Sequence, residues 1–249
     1  MSLKSRIRLL ARRFGIEVNR YNPAQSRAAR LGVQLAYHGV DCVLDVGAND
    51  GAYGIFVRSA GFNGNIVSFE PQADAHQKLM LASRADPAWH IASRMALGDT
   101  DTEMEINVSG NSTSSSLLKM LPSHVESSPA SKCIGNEKVV VRRLDALNDP
   151  TINSARKIYL KIDTQGYELP VIRGATGIMN KVVGVQIEMS VIPLYEGQVL
   201  YQDILVWLGN AGFELWGVDP GFMNQTTGRM LQFDGIFFRK NECRTLRNR

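Results

Sequence analysis

The feature that most constrains the fold is the stretch Val43–Gly54, VLDVGANDGAYG. A short apolar run from Cys42 to Val46 precedes the glycine-rich turn GANDG, and helix-like spacing resumes from Ala52 to Ser59. This order predicts a buried strand, a tight turn and a helix, as in the first unit of an open α/β sheet. Backbone N–H groups of such a turn lie over the carboxyl end of the strand, where these sheets bind ligands.

The glycine spacing and two acids narrow the class of ligand. A dinucleotide fingerprint needs a glycine where Asn49 stands, and no Gly-Lys-Ser/Thr follows to make a phosphate loop. Asp45 at the strand end would repel a pyrophosphate but suits an ammonium group, which S-adenosylmethionine (SAM) carries. Glu70 ends the second apolar run and is placed to accept hydrogen bonds from a ribose diol. Its alternative role is that of a helix cap or a solvated carboxylate.

Five segments resemble the FkbM family of SAM-dependent methyltransferases. They are VLDVGANDGAYG, SFEP, MALGD, YLKIDTQGYELPVIRGA and QIEMS, and the resemblance extends from about Val40 to Arg239. Its most specific element is KIDTQGYE, Lys161–Glu168. The resemblance implies a doubly wound, seven-stranded SAM-methyltransferase (Rossmann-like) fold. It also implies O-methylation of a hydroxyl on a sugar or glycan, a glycolipid or a polyketide-like acceptor.

The motifs and the resemblance together predict a cofactor site. We expect the glycine turn and its preceding acid to hold the methionine end of SAM, the acid after the second strand to hold the ribose, and residues 93–97 to contact the adenine. The predicted cofactor-binding residues are Asp45, Gly47, Ala48, Asn49, Gly51, Tyr53, Glu70, Pro71, Ala96 and Asp163.

The run Lys157–Asp163 predicts a strand with an unusual charge pattern. A central parallel strand is normally apolar on both faces, but Tyr159, Lys161 and Asp163 share one face here. Two buried charges are costly unless they are paired. One interpretation is therefore structural, with Lys161 bound to Asp163 or to Asp45. The other places Asp163 against the transferable methyl group.

A second carboxylate favours the catalytic interpretation. Glu188 ends the predicted strand Val182–Met189, so it should lie beside Asp163 at the same edge of the sheet. We expect Asp163, helped by Glu188 and oriented through Lys161, to activate the acceptor hydroxyl directly or through Mg²⁺ held by the two carboxylates. A non-catalytic SAM-binding module would tolerate the loss of both acids. Glu168 is expected only to stabilise the next helix.

The basic residues are concentrated at the start of the chain. Residues 1–30 contain eight (Lys4, Arg6, Arg8, Arg12, Arg13, Arg20, Arg27 and Arg30) and one acid, Glu17, giving +7, whereas the whole chain has +4. Leu3, Ile7, Leu10 and Phe14 follow helical spacing. Such a basic amphipathic helix can lie on an anionic membrane, or it can pack on the domain with its arginines solvated.

Length and composition favour one catalytic domain with two extensions. We divide the chain into a basic helical extension (1–39), a methyltransferase domain (40–240) and a basic tail (241–249). The sequence shows no signal peptide, and its three widely spaced cysteines suggest free thiols, so we expect a cytoplasmic protein. If the first helix binds lipid, we expect peripheral contact with the membrane as well. Because the excess of basic over acidic residues lies at the two ends of the chain, the expected partner is a small-molecule, glycan or lipid acceptor rather than nucleic acid.

One segment has little periodicity. Residues 109–136 begin SGNSTSSS, and their length and composition predict either a lid over the site or disorder.

Overall fold

The structure is a computed structural model that describes residues 3–16, 18 and 20–240. Its strands are β1 (Cys42–Val46), β2 (Asn65–Phe69), β3 (Trp89–Ile91), β4 (Ala96–Leu97), β5 (Thr102–Ser109), β6 (Cys133–Arg142), β7 (Ile158–Ile162), β8 (Val182–Ser190), β9 (Phe213–Pro220) and β10 (Gln232–Arg239). Its α-helices are α1 (Leu3–Arg13), α2 (Arg27–His38), α3 (Ala52–Ser59), α4 (Ala73–Ser83), α5 (Pro122–Ser127), α6 (Pro150–Ser154), α7 (Glu168–Arg173) and α8 (Tyr201–Asn210). The predicted basic tail lies outside the described residues.

Seven strands form the central sheet in the order β3-β2-β1-β7-β8-β10-β9. All are parallel except β10, which pairs antiparallel with both neighbours. A smaller sheet has the order β4-β6-β5. The predicted doubly wound methyltransferase fold is thereby confirmed, including the closing hairpin of β9 and β10.

Apolar side chains cover both faces of the central sheet. One core joins β1, β7 and β8 to α7 and α8 through residues such as Val171 and Leu208. The other joins the sheet to α2 and α3, where Leu31, Leu35 and Val57 are buried. Because α2 belongs to this second core, the C-terminal part of the predicted extension is a structural layer of the domain.

A polar row crosses the middle of the sheet. In the strand register Asp45 pairs with Ser68 on one side and with Lys161 on the other, and Lys161 pairs with Gln186. Register partners in a parallel sheet point to the same face, so these four buried side chains form a continuous row. The row lies close to the carboxyl ends of β1 and β7, where the catalytic acids were predicted.

Two local sequence patterns gave wrong predictions: the run Trp89–Leu97 predicts a single strand, and Asn22-Pro23 predicts the start of the helix before β1. Residues 89–97 do not form one strand, because the chain bends between β3 and β4 and moves from the large sheet to the small one. Helix α2 begins at Arg27 and not near Asn22, since the Ser26 hydroxyl accepts the capping bond from the backbone N–H of Ala29. The Asn22 side chain instead closes a separate turn through the N–H of Gln25.

Helix α1 does not bury its predicted apolar face. Ile7, Leu10 and Phe14 are 50%, 59% and 75% exposed. These three side chains are therefore not buried against the domain in this structure. No helix within the described ranges is long and apolar enough to cross a membrane.

Candidate active site

A recess opens at the carboxyl ends of β1, β2 and β7. Its walls are the glycine turn after β1, the acidic turn after β2, strand β4 and the turn after β7, and the serine-rich segment after β5 covers it. Six of the predicted cofactor residues line it: Gly47, Asn49, Glu70, Pro71, Ala96 and Asp163. The predicted cofactor elements therefore meet in one place.

The other four predicted cofactor residues lie behind this wall. Ala48 is buried in the core beside α2, and Gly51 begins α3 with a φ of 92°. The Tyr53 hydroxyl donates to Gln186 Oε1 at 2.8 Å. Asp45 directly precedes Val46, which lines the recess. These four residues lie behind the lining of the recess, where they support its wall or, in the case of Asp45, place a carboxyl group next to it.

Glu70 joins two turns of the recess. Its Oε2 accepts from the backbone N–H of Asn49, and its Oε1 accepts from that of Gln72, both at 2.8 Å. Burial raises the pKa of Glu70 to about 7, against the opposing effect of these two bonds. Each carboxyl oxygen has a second lone pair, so Glu70 can hold the turns together and still accept from a ligand hydroxyl.

Gly47 is required because two turns approach closely. Its φ is 80°, and a Cβ there would overlap the carbonyl oxygen of Asp163. The glycine turn and the turn after β7 are consequently in direct contact, which brings the cofactor motif and the predicted catalytic acid together.

Asp45 carries a carboxylate oxygen that lacks a partner. The side chain is buried, its Oδ2 accepts from Ser68 Oγ at 3.2 Å, and its Oδ1 has no hydrogen bond. Burial raises the pKa of Asp45 to about 6, although Lys161 acts in the opposite direction. An unsatisfied buried carboxylate oxygen is costly, and a donor such as an ammonium group would satisfy it. The residue fits the SAM methionine end for this reason.

The ionised form of Asp45 would suit a bound ammonium group but should lower the stability of the fold. Its raised pKa means that ionisation opposes folding, by an amount that grows from about pH 4 to about pH 6 and then stays constant. The rise of the Asp45 pKa from about 4 to about 6 corresponds to about 3 kcal/mol. We expect Asp45→Asn to raise the free energy of unfolding by up to that amount at pH 8 and by about half as much at pH 5.

Urea denaturation at the two pH values measures this effect, with the exposed Asp203→Asn as the control. Equal changes at pH 5 and pH 8 would show that ionisation of Asp45 carries no cost.

Asp163 and Glu188 lie together at the predicted strand ends. Lys161 Nζ is 3.1 Å from Asp163 Oδ2, and Gln165 Nε2 donates to Asp163 Oδ1 at 2.8 Å and to Glu188 Oε2 at 2.5 Å. Gln232 Nε2 also donates to Glu188 Oε2, at 2.8 Å. Of the two partners predicted for Lys161, the structure thus pairs it with Asp163.

The two acids differ in their pKa. Burial would raise the pKa of Asp163, but the Lys161 ammonium and the bond from Gln165 bring it below its ordinary value. Burial and then the Asp163 charge hold the pKa of Glu188 well above its ordinary range. At neutral pH Asp163 is therefore ionised, and Glu188 takes up a proton more readily than an ordinary carboxyl group. Asp163 is also accessible, with 34% of its side chain exposed.

The donor set does not fit the predicted Mg²⁺ ion. Among the described residues, no three His, Cys, Asp or Glu side chains are grouped to hold a metal. The oxygens of Asp163 and Glu188 already accept from an ammonium group and two amides, and the Lys161 charge would repel a cation.

The turn after β7 is fixed by Glu168. Its Oε1 accepts from the backbone N–H groups of Thr164 and Gly166, both at 3.0 Å. Burial raises the pKa of Glu168 to about 7. Glu168 thus shapes the turn that carries Asp163, beyond the helix-stabilising role expected from its position.

Gln165 is a site residue that sequence reasoning missed. It is buried and has a φ of 53°, a left-handed conformation that is strained for a side chain of this size. The turn directs its amide nitrogen between the two acids, while its Oε1 accepts from the Tyr195 hydroxyl at 2.9 Å. The only available signal was its place in KIDTQGYE, between the acid and the glycine.

We expect Gln165→Glu to lower kcat while leaving the affinity for S-adenosylhomocysteine nearly unchanged. The new side chain is almost the same size but replaces the shared amide donor with a third carboxyl group. The pKa values of Asp163 and Glu188 should therefore change. The kcat–pH profile should shift as well. A fall in affinity equal to the fall in kcat would indicate only a distorted turn.

The serine-rich segment covers the recess and is fixed to three of its walls. Ser112 Oγ donates to Asn49 Oδ1 at 3.1 Å, and Gln72 Nε2 donates to the Ser112 carbonyl at 3.1 Å. Ser116 Oγ donates to the Gln165 carbonyl at 2.6 Å. These bonds form a roof, which agrees with the lid interpretation of this segment.

Comparisons with known proteins identify the family. A family model described as the methyltransferase FkbM domain matches residues 45–215, well over half of the chain. No curated protein matches the sequence.

Two solved methyltransferases are among the structures that match this chain, each with a low TM-score. Magnesium protoporphyrin IX methyltransferase (ChlM) from Synechocystis PCC 6803, solved with bound SAM, is 10% identical with a TM-score of 0.46, covering 86% of this chain and 78% of that one. An S-adenosylmethionine-dependent methyltransferase from Clostridium acetobutylicum is 7% identical with a TM-score of 0.46, covering 95% and 98%. These values are too low to transfer a residue role or a substrate. The family match is what identifies the protein, and the chain belongs to the FkbM family of methyltransferases.

Proposed function

We propose that this SAM-dependent methyltransferase methylates a hydroxyl oxygen of a sugar or glycan, a glycolipid or a polyketide-like acceptor. The observation that carries the proposal is the ionised, accessible Asp163 at the edge of the recess, with its charge fixed by Lys161. An alcohol is a weak nucleophile at neutral pH, so its methylation needs a group that takes up its proton.

Some residues of the recess would bind the cofactor, and Asp163 would take part in proton transfer. Asp45 would satisfy its free oxygen with the methionine ammonium group, Glu70 would accept from the ribose hydroxyls, and Ala96 would border the adenine. Bound SAM supplies an electrophilic methyl group on a sulfonium. Asp163 orients the acceptor hydroxyl and receives its proton, while Lys161 and Gln165 hold the carboxylate in place.

An acceptor screen tests the proposal. The protein is incubated with methyl-labelled SAM and with hydroxylated sugars, glycolipids, polyketides, amines and transfer RNA. We expect label only in hydroxylated acceptors, in an ether that withstands mild base, and not with Asp163→Asn. Label in amines or RNA, or equal transfer by the variant, would contradict the proposal.

A further inference from the structure

Helix α1 presents an apolar surface that the domain leaves uncovered. Ile7, Leu10 and Phe14 recur at helical spacing and are each at least half exposed. Leu9 and Ile16 are also more than half exposed. This concentration of large apolar side chains in one short segment differs from the scattered apolar residues of an ordinary surface.

The charge around this surface has one sign. Helix α1 itself, LKSRIRLLARR, contains five basic residues and no acid. At 100° per residue Ile7, Leu10 and Phe14 occupy one sector, and the basic positions, like Leu9, fall outside it by sequence. An apolar stripe bordered by cations fits the boundary between acyl chains and anionic headgroups.

We propose that α1 docks the protein on an anionic lipid surface, lying in the plane of the interface. Eleven residues span about 16 Å as a helix, too short to cross the roughly 30 Å hydrocarbon layer. A second copy of the chain is a poorer occupant, because two α1 helices, each with five basic residues and no acid, would repel each other. Nucleic acid would use the cations but leave the apolar stripe in water. The proposal rests on α1 and is independent of the proposed reaction.

Vesicle flotation of the full chain tests the proposal. Neutral phosphatidylcholine vesicles are compared with vesicles containing phosphatidylserine, at low and at high salt. We expect binding to the anionic vesicles only, and a decrease of at least about tenfold for Ile7→Asp, Leu10→Asp, whose two carboxylates oppose both apolar insertion and the lipid charge. The double variant Arg6→Gln, Arg13→Gln should bind less and lose most of its salt dependence.

Matched controls separate lipid binding from other effects. Leu81→Asp replaces an equally exposed leucine on α4 and should bind like the unchanged protein. Unchanged binding by Ile7→Asp, Leu10→Asp, or no binding by the full chain, would overturn the proposal. So would light scattering that shows a dimer which only the α1 variant disrupts. Methyl transfer to a water-soluble acceptor by the α1 variant distinguishes failure of docking from failure of the enzyme.

Discussion

Asp163→Asn should lower kcat by about 10²- to 10⁴-fold, the usual contribution of a general base. Asparagine keeps the shape of the side chain but cannot receive the hydroxyl proton. The affinity for S-adenosylhomocysteine should change little, because the bonds of Glu70 and the unpaired oxygen of Asp45 do not involve Asp163. Single-turnover kinetics and calorimetry on the same preparation separate the two quantities.

Asp99→Asn provides a matched control at an exposed position. Turnover by Asp163→Asn at the rate of this control would remove Asp163 from proton transfer. The site would then have to act by positioning alone.

Lys161→Met should have the largest effect on stability. Its buried ammonium group faces Asp163 and is the register neighbour of Asp45, so its removal leaves two acids without their cation. Breaking a buried pair costs about 3–5 kcal/mol, and partial exposure of Asp163 favours the lower value.

The pH dependence of this loss has a defined sign. Lys161 has a raised pKa in the folded protein, so its stabilisation is present throughout the neutral and acidic range, up to its unfolded pKa. In the variant the pKa values of both acids rise, because Lys161 no longer lowers them, and the loss of stability should be greater at pH 8 than at pH 5. Urea denaturation measures it, with the exposed Lys78→Met as the control. Equal stability of the two variants would show that Lys161 is dispensable.

The sequence predicted the strand-turn-helix unit well because its signals are local. Strand β1 and helix α3 have the predicted bounds, since an apolar run, a glycine turn and a helical pattern follow one another without interruption. Residues 89–97 were mispredicted because an apolar run does not reveal that its two ends belong to different sheets. Ser26 and Asn22 are both good caps, and only the packing of α2 decides between them.

The position of the acids was also predictable, but their charges and partners were not. Asp163 directly follows β7 and Glu188 lies near the end of the adjacent parallel strand β8, so their proximity results from the topology. That the two acids differ in their pKa depends on burial and on the neighbouring Lys161 and Gln165, and Gln232 is a further partner of Glu188. The roof is held by contacts such as that of Ser112 with Asn49, between residues far apart in the sequence and without periodicity.

The most direct test of the account is calorimetric titration with S-adenosylhomocysteine. The unchanged protein is compared with Asp45→Ala, Glu70→Ala and with a control, Glu103→Ala, Asp203→Ala, that removes two exposed carboxylates. The account predicts saturable binding by the protein and the control, and its loss in the site variant, without added metal. Binding that survives in the site variant, or binding that requires Mg²⁺, would contradict it.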